Sequence, residues 1–127
     1  MASEGLHEPA ETLKPETVDQ HRAIVSLMEE LEAVDWYAQR VDATQDAELR
    51  AILAHNRDEE KEHASMVLEW LRRKDATFDA HLKEYLFVKG SIVGREAAAT
   101  GDEPGGAPGA SGDGSLGIGS LKGKVSR

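Results

Sequence analysis

The chain is predicted to be all-α, and three observations carry that prediction. No glycine occurs between Gly5 and Gly90. Over the same stretch apolar residues recur at steps of three and four, the spacing of one helix face, and nowhere alternate as a strand requires. Runs of β-branched or aromatic residues are few. Residues 1–14 are expected to be an N-terminal extension. A first helix should begin near Pro15 to Thr17, where a proline suits the first turn and Glu16 and Asp19 suit the positive helix end, and should run to about Asp42. The break is Asp42-Ala-Thr-Gln-Asp46. A second helix should follow from Ala47 to Lys74, closing on Arg72-Arg73-Lys74, whose positive charge meets the negative helix end. Each long helix would span about 40 Å. A short third helix should follow Asp75, with Phe78, Leu82 and Tyr85 on one face, and should end before Gly90.

Two long antiparallel helices joined by a short turn bury only one side of each. The hairpin therefore lacks a closed core, and homodimerisation into a four-helix bundle follows from the arithmetic of burial. At 127 residues the chain has room for one small domain. The residues from Gly90 onward hold 11 of the 12 glycines and no net charge, so residues 90–115 are expected to be a flexible Gly/Pro/Ser-rich linker and residues 116–127 a separate terminal peptide. The net charge of −9 then falls entirely on residues 1–89.

Composition narrows the function. With no cysteine, disulfides, thiolate metal sites and cysteine nucleophiles are excluded, so metal chemistry must use imidazole and carboxylate. An acidic excess argues against nucleic acid and makes cations the natural partners. No stretch approaches the 18 or so apolar residues of a membrane span, and the polar first nine residues do not resemble a signal peptide, so a cytosolic protein without membrane attachment is expected.

The chemistry-bearing residues interrupt the apolar stripes. On the second helix, alternate steps of four and three give Leu49, Leu53, Asn56, Glu60, His63, Val67 and Trp70. On the first helix they give Ala23, Leu27, Glu30, Val34, Tyr37 and Val41. A carboxylate in such a stripe must be protonated, ion-paired or metal-bound, because burying it alone costs several kcal/mol. Glu60-Lys61-Glu62-His63 has the Glu-x-x-His spacing that aims an oxygen and a nitrogen at one point beside a helix. A di-iron four-helix bundle needs a Glu from each of two helices and a Glu-x-x-His from each of two others, and this chain holds half of that set. Two copies of Glu30, Glu60 and His63 would supply four carboxylates and two imidazoles, whose four negative charges balance two Fe(II) ions.

Other polar residues carry weaker readings. Glu29 and Glu32 flank Glu30 and form either a cation-attracting inlet or an ordinary solvated face. His55 and Glu59, at i, i+4, are a second site or a surface pair, and Glu69 with Arg73 reads as a surface ion pair. Trp70 reads as core. Trp36 and Tyr37 are adjacent and cannot share a face, so one of them lines the dimer surface or the metal site. Beyond the linker, Leu116, Ile118 and Leu121 are three apolar anchors suited to a hydrophobic groove on a partner, or else incidental residues of a chain end.

Glu29-Glu-Leu-Glu-Ala-Val-Asp-Trp-Tyr37, His55-Asn-Arg-Asp-Glu-Glu-Lys-Glu-His63, Leu68-Glu-Trp-Leu-Arg-Arg73 and the terminal Leu116, Gly117, Ile118, Gly119, Ser120 and Leu121 strongly resemble the encapsulated ferritins, in order and spacing. The resemblance covers nearly the whole chain except the linker. It implies a ferroxidase that oxidises Fe(II) with O2 at a di-iron centre between two subunits, with Glu30, Glu60 and His63 of both chains as catalytic ligands. It further implies that Glu29 and Glu32 form the inlet site, that Trp36 and Tyr37 are the aromatic pair near the centre, and that the dimers build a ring, typically a decamer. By the same resemblance residues 116–121 target the protein to the lumen of an encapsulin shell, where the iron is stored. A reading of a different class is a non-catalytic cargo or scaffold module whose metal only bridges the dimer.

Overall fold

The computed structural model describes residues 5–100, with side chains to residue 96, and every regular element in it is helical. A single 3-10 turn over Ala10–Thr12 precedes α1 (Pro15–Ala43), which opens with its proline in the first turn and carries Glu16 there. Helix α2 (Ala47–Lys74) follows after three residues and ends on Arg72, Arg73 and Lys74 as the charge pattern requires. Helices α3 (Ala76–Tyr85) and α4 (Ile92–Thr100) complete the described chain. No helix among the described residues is long and apolar enough to cross a membrane.

The turn between α1 and α2 is fixed from both sides. Asp46 accepts a hydrogen bond from the Leu49 amide at 2.9 Å, satisfying one of the otherwise unpaired donors at the start of α2. Its own amide donates to Thr44 Oγ1 at 3.2 Å. From the first turn of α2, Arg50 reaches back to the end of α1, donating to the Val41 carbonyl at 3.2 Å and to the Thr44 carbonyl. With Val41 level with Arg50, eleven steps back along α1 reach Glu30 and ten to thirteen steps forward along α2 reach Glu60 and His63. The antiparallel register thus brings these three to the same height, about 16 Å from the turn.

The described residues divide into two units, one reaching to Phe78 and the other beginning at Asp79. In the first, α1 packs along α2, and the stripes read from the sequence are half-buried except at Leu49. Among the described residues only Ala64 and Leu71 are fully buried, while Ile24, Leu31, Trp36, Ile52 and Met66 stay about half exposed. A hairpin that leaves this much apolar surface in water has no enclosed core of its own.

In the second unit the expected linker beginning at Gly90 is corrected by α4. Its glycine and proline density lies in residues 101–115, whereas Ile92–Thr100 holds one glycine and a run of three alanines, the strongest helix formers. Ser91 starts this helix by accepting from the Gly94 amide at 2.9 Å, and Arg95 fastens it to α3 through the Glu84 carboxylate at 2.8 Å. Between α3 and α4 the chain turns at Phe87 and Gly90, both with positive φ (60° and 90°). Glycine adopts that geometry freely, but a phenylalanine is strained in it. The remainder of the expected linker and the terminal peptide, Leu116 to Leu121, lie outside the described residues.

Candidate metal centre

Among the described residues, one group of side chains is arranged to hold a metal ion: Glu30 from α1, with Glu60 and His63 from α2. Their ligand atoms lie within 4.8 Å of one another. His63 Nδ1 is 3.1 Å from Glu60 Oε1 and 3.9 Å from Glu30 Oε1. The three are neither sealed nor open, with side-chain exposures of 27% for Glu30, 23% for Glu60 and 43% for His63. Glu60 and His63 meet because residues three apart share a helix face, and Glu30 joins them through the hairpin register.

The electrostatics are those of too much negative charge in one place. A hydrogen bond with Glu60 raises the Glu30 pKa, and desolvation and the Glu60 charge add to the rise. The same bond lowers the pKa of Glu60, helped by His63. The two carboxylates thus shift in opposite directions, the expected behaviour of a close acidic pair without a counter-ion. His63 is pushed up by its hydrogen bond to Glu60, then by the charges of Glu60, Glu30 and Glu59. A divalent cation supplies the positive charge that this cluster lacks, so the donor set of two carboxylates and an imidazole fits a metal such as iron, manganese or zinc.

Glu59 adds a contact that the sequence reading assigned differently. Its Oε1 is 3.9 Å from His63 Nε2, and its Oε2 is 3.9 Å from His55 Nε2, so it stands between the two rings. The i, i+4 spacing from Glu59 to His63 was the available signal. Nδ1 makes the shorter contact, the hydrogen bond to Glu60, so in the metal-free protein it is the nitrogen that carries the bonded proton, while Nε2 faces Glu59.

The other sequence candidates fall outside this group. Glu29 is exposed and Glu32 half-buried, and neither joins the three-residue cluster, although the Glu29 charge helps to raise Glu30. Trp36 is 49% exposed, while Tyr37 is half-buried with the Arg40 guanidinium 5.3 Å from its ring centre. Trp70 is half-buried. Glu69 pairs with Arg73 as expected and also with Arg72, both at 2.7 Å, and the two guanidinium groups hold its carboxyl down at about 2.

Residues 5–89 match the EncFtn-like family. An encapsulated ferritin-like protein of Rhodospirillum rubrum is 64% identical, with 98% of this chain and 93% of that protein aligned. A ferritin-like protein of Thermotoga maritima is 50% identical over 75% of this chain and 83% of its own length. Among solved structures, the crystal structure of a Nitrosomonas europaea protein superposes with a TM-score of 0.68 at 65% identity, covering 69% of this chain and 97% of that one.

Proposed function

The chain belongs to the EncFtn-like family, and from that premise we propose that it is a ferroxidase, oxidising Fe(II) with O2 at a site shared by two subunits, and that it works as cargo inside an encapsulin shell. The observation that carries the reading is the convergence of Glu30, Glu60 and His63 from two helices onto one point. One chain offers two carboxylates and one imidazole. A two-fold partner doubles this to four and two, enough for a pair of Fe(II) ions, and covers apolar side chains such as Trp36, Ile52 and Met66 that the hairpin leaves in water. The ring of dimers, a decamer in the family, is part of this proposal.

Fe(II) is the substrate, and it supplies the electrons that pass to O2. The residues' part is to bind and release. Hard carboxylate oxygens hold Fe(III) more tightly than Fe(II), which favours oxidation at the site. To bind the cation the carboxylates must be ionised and His63 must turn a bare Nδ1, the atom that meets Glu60 in the metal-free protein, to the metal, with its remaining proton on Nε2, the side that faces Glu59. Glu29 and Glu32 are assigned to attracting cations toward Glu30.

Shell targeting is assigned to Leu116, Gly117, Ile118, Gly119, Ser120 and Leu121. The support is that two similar proteins are encapsulated by name, the Rhodospirillum rubrum protein aligned over 98% of this chain and an encapsulin nanocompartment cargo protein of Myxococcus xanthus, which is 40% identical over 55% of this chain.

Aerobic Fe(II) oxidation, followed optically and by O2 uptake, tests the activity. Glu30→Ala, Glu60→Ala and His63→Ala should each abolish most of it, and three unchanged rates would end the proposal. Metal-dependent assembly without O2 uptake would instead identify a non-catalytic scaffold. Deleting residues 116–123 should abolish loading into the shell and leave oxidation intact.

A further inference from the structure

The inference concerns Arg40, and it rests on the metal site proposed above. In a chain of net charge −9, the basic side chains mostly find carboxylates. Arg22, Arg57, Lys61, Arg73, Lys83 and Arg95 each have one within 3.4 Å. Arg40 makes no such pair among the described residues. Its guanidinium lies instead over the face of Tyr37, 5.3 Å from the ring centre, within cation–π range.

What this contact holds matters because of where Tyr37 stands. It shares the α1 stripe with Glu30 and is seven residues further on, two helical turns or about 10 Å along the axis. Long side chains on a helix lean back toward its N-terminus, so the ring of Tyr37 leans toward Glu30 and away from the end of α1. The ring is half-buried, yet its hydroxyl takes no hydrogen bond among the described residues. Here the ring is gripped through its face and the hydroxyl is left unengaged.

We propose that Arg40 is a positioning residue, clamping the Tyr37 ring so that its free hydroxyl is presented as a donor at the Glu30 side of the metal site. Arginine suits the task because its planar guanidinium stacks on a ring, whereas a lysine ammonium is a point charge on a flexible stem. An ordinary helix-end role, charge against the dipole, accounts for a cation in the last turn but not for its seat on the ring.

The sequence has two tyrosines, which makes the test direct. The full chain is labelled with 3-fluorotyrosine, and the two fluorine resonances are assigned with Tyr37→Phe. Arg40→Gln should move or broaden the Tyr37 resonance and leave that of Tyr85 in place, with Arg40→Lys intermediate. Mn(II), whose binding is followed by loss of its free-ion EPR signal, should broaden the Tyr37 resonance in the native chain and less in Arg40→Gln. Fe(II) oxidation should slow about two- to fivefold in Arg40→Gln, the population change expected from losing an exposed cation–π contact. In a Tyr37→Phe background Arg40→Gln should cost nothing further, because Arg40 acts only through the Tyr37 hydroxyl. If Mn(II) binds and broadens Tyr37 equally with and without Arg40, the positioning role is overturned. If Mn(II) does not bind at all, the metal site itself is wrong and this inference falls with it.

Discussion

Replacing Glu30 by glutamine tests the charge argument most sharply, because it should act in opposite directions with and without metal. In the metal-free protein the ligand oxygens of Glu30 and Glu60 are at most 4.8 Å apart. Two unit charges at that distance repel by about 0.9 kcal/mol in bulk water and about 3.5 kcal/mol at an effective dielectric of about 20. Both side chains are roughly a quarter exposed, so solvent screens much of the repulsion. The net relief from Glu30→Gln is therefore about 1 kcal/mol. For a unit of this size that raises the melting temperature by about 4–8 °C. With metal the order reverses. The native site gains about 2.7 kcal/mol at a hundredfold excess over the dissociation constant, and a site lacking one carboxylate per subunit gains little. Circular-dichroism melts at about pH 8, in chelator and in Mn(II), measure both arms. A metal-free variant that melts below the native protein, or one that Mn(II) stabilises equally, refutes the reasoning.

The pH dependence should also change sign on metal binding. His63 sits above its ordinary 6.5, so its contribution to the metal-free fold is complete below 6.5 and disappears as the pH rises through the raised value, while metal binding needs the neutral ring and strengthens over the same interval. Melts across that range should fall without Mn(II) and rise with it; parallel curves count against the assignment. Asp46→Ala removes the cap of α2 and should cost about 1 kcal/mol in denaturant unfolding without changing the metal affinity of the folded protein. Glu69, held at about 2, contributes stability above its ordinary 4.5 and loses it as the pH falls toward 2. Glu69→Gln should therefore lower the melting temperature at neutral pH, by an amount that shrinks in acid and in high salt.

The sequence by itself determined the helices, since their ends rest on local chemistry: Pro15 in a first turn, Asp46 as a cap, three cations closing α2. It also determined that Glu60 and His63 meet, because a spacing of three on one helix is a fixed geometry. Helix α4 was hidden because composition averaged over residues 90–115 weights glycine and proline more than the three alanines and Ser91, which decide locally. Three contacts belonged to tertiary structure or to side-chain choice. Glu30 reaches the pair on α2 only through the register of the turn, where Arg50 fixes the end of α1. Glu59 had two candidate rings and stands between both. Arg40 had a chain rich in carboxylates to choose from and lies on Tyr37. A helix face follows from periodicity alone, whereas the partner of a long charged side chain depends on which groups the packed helices bring within its reach.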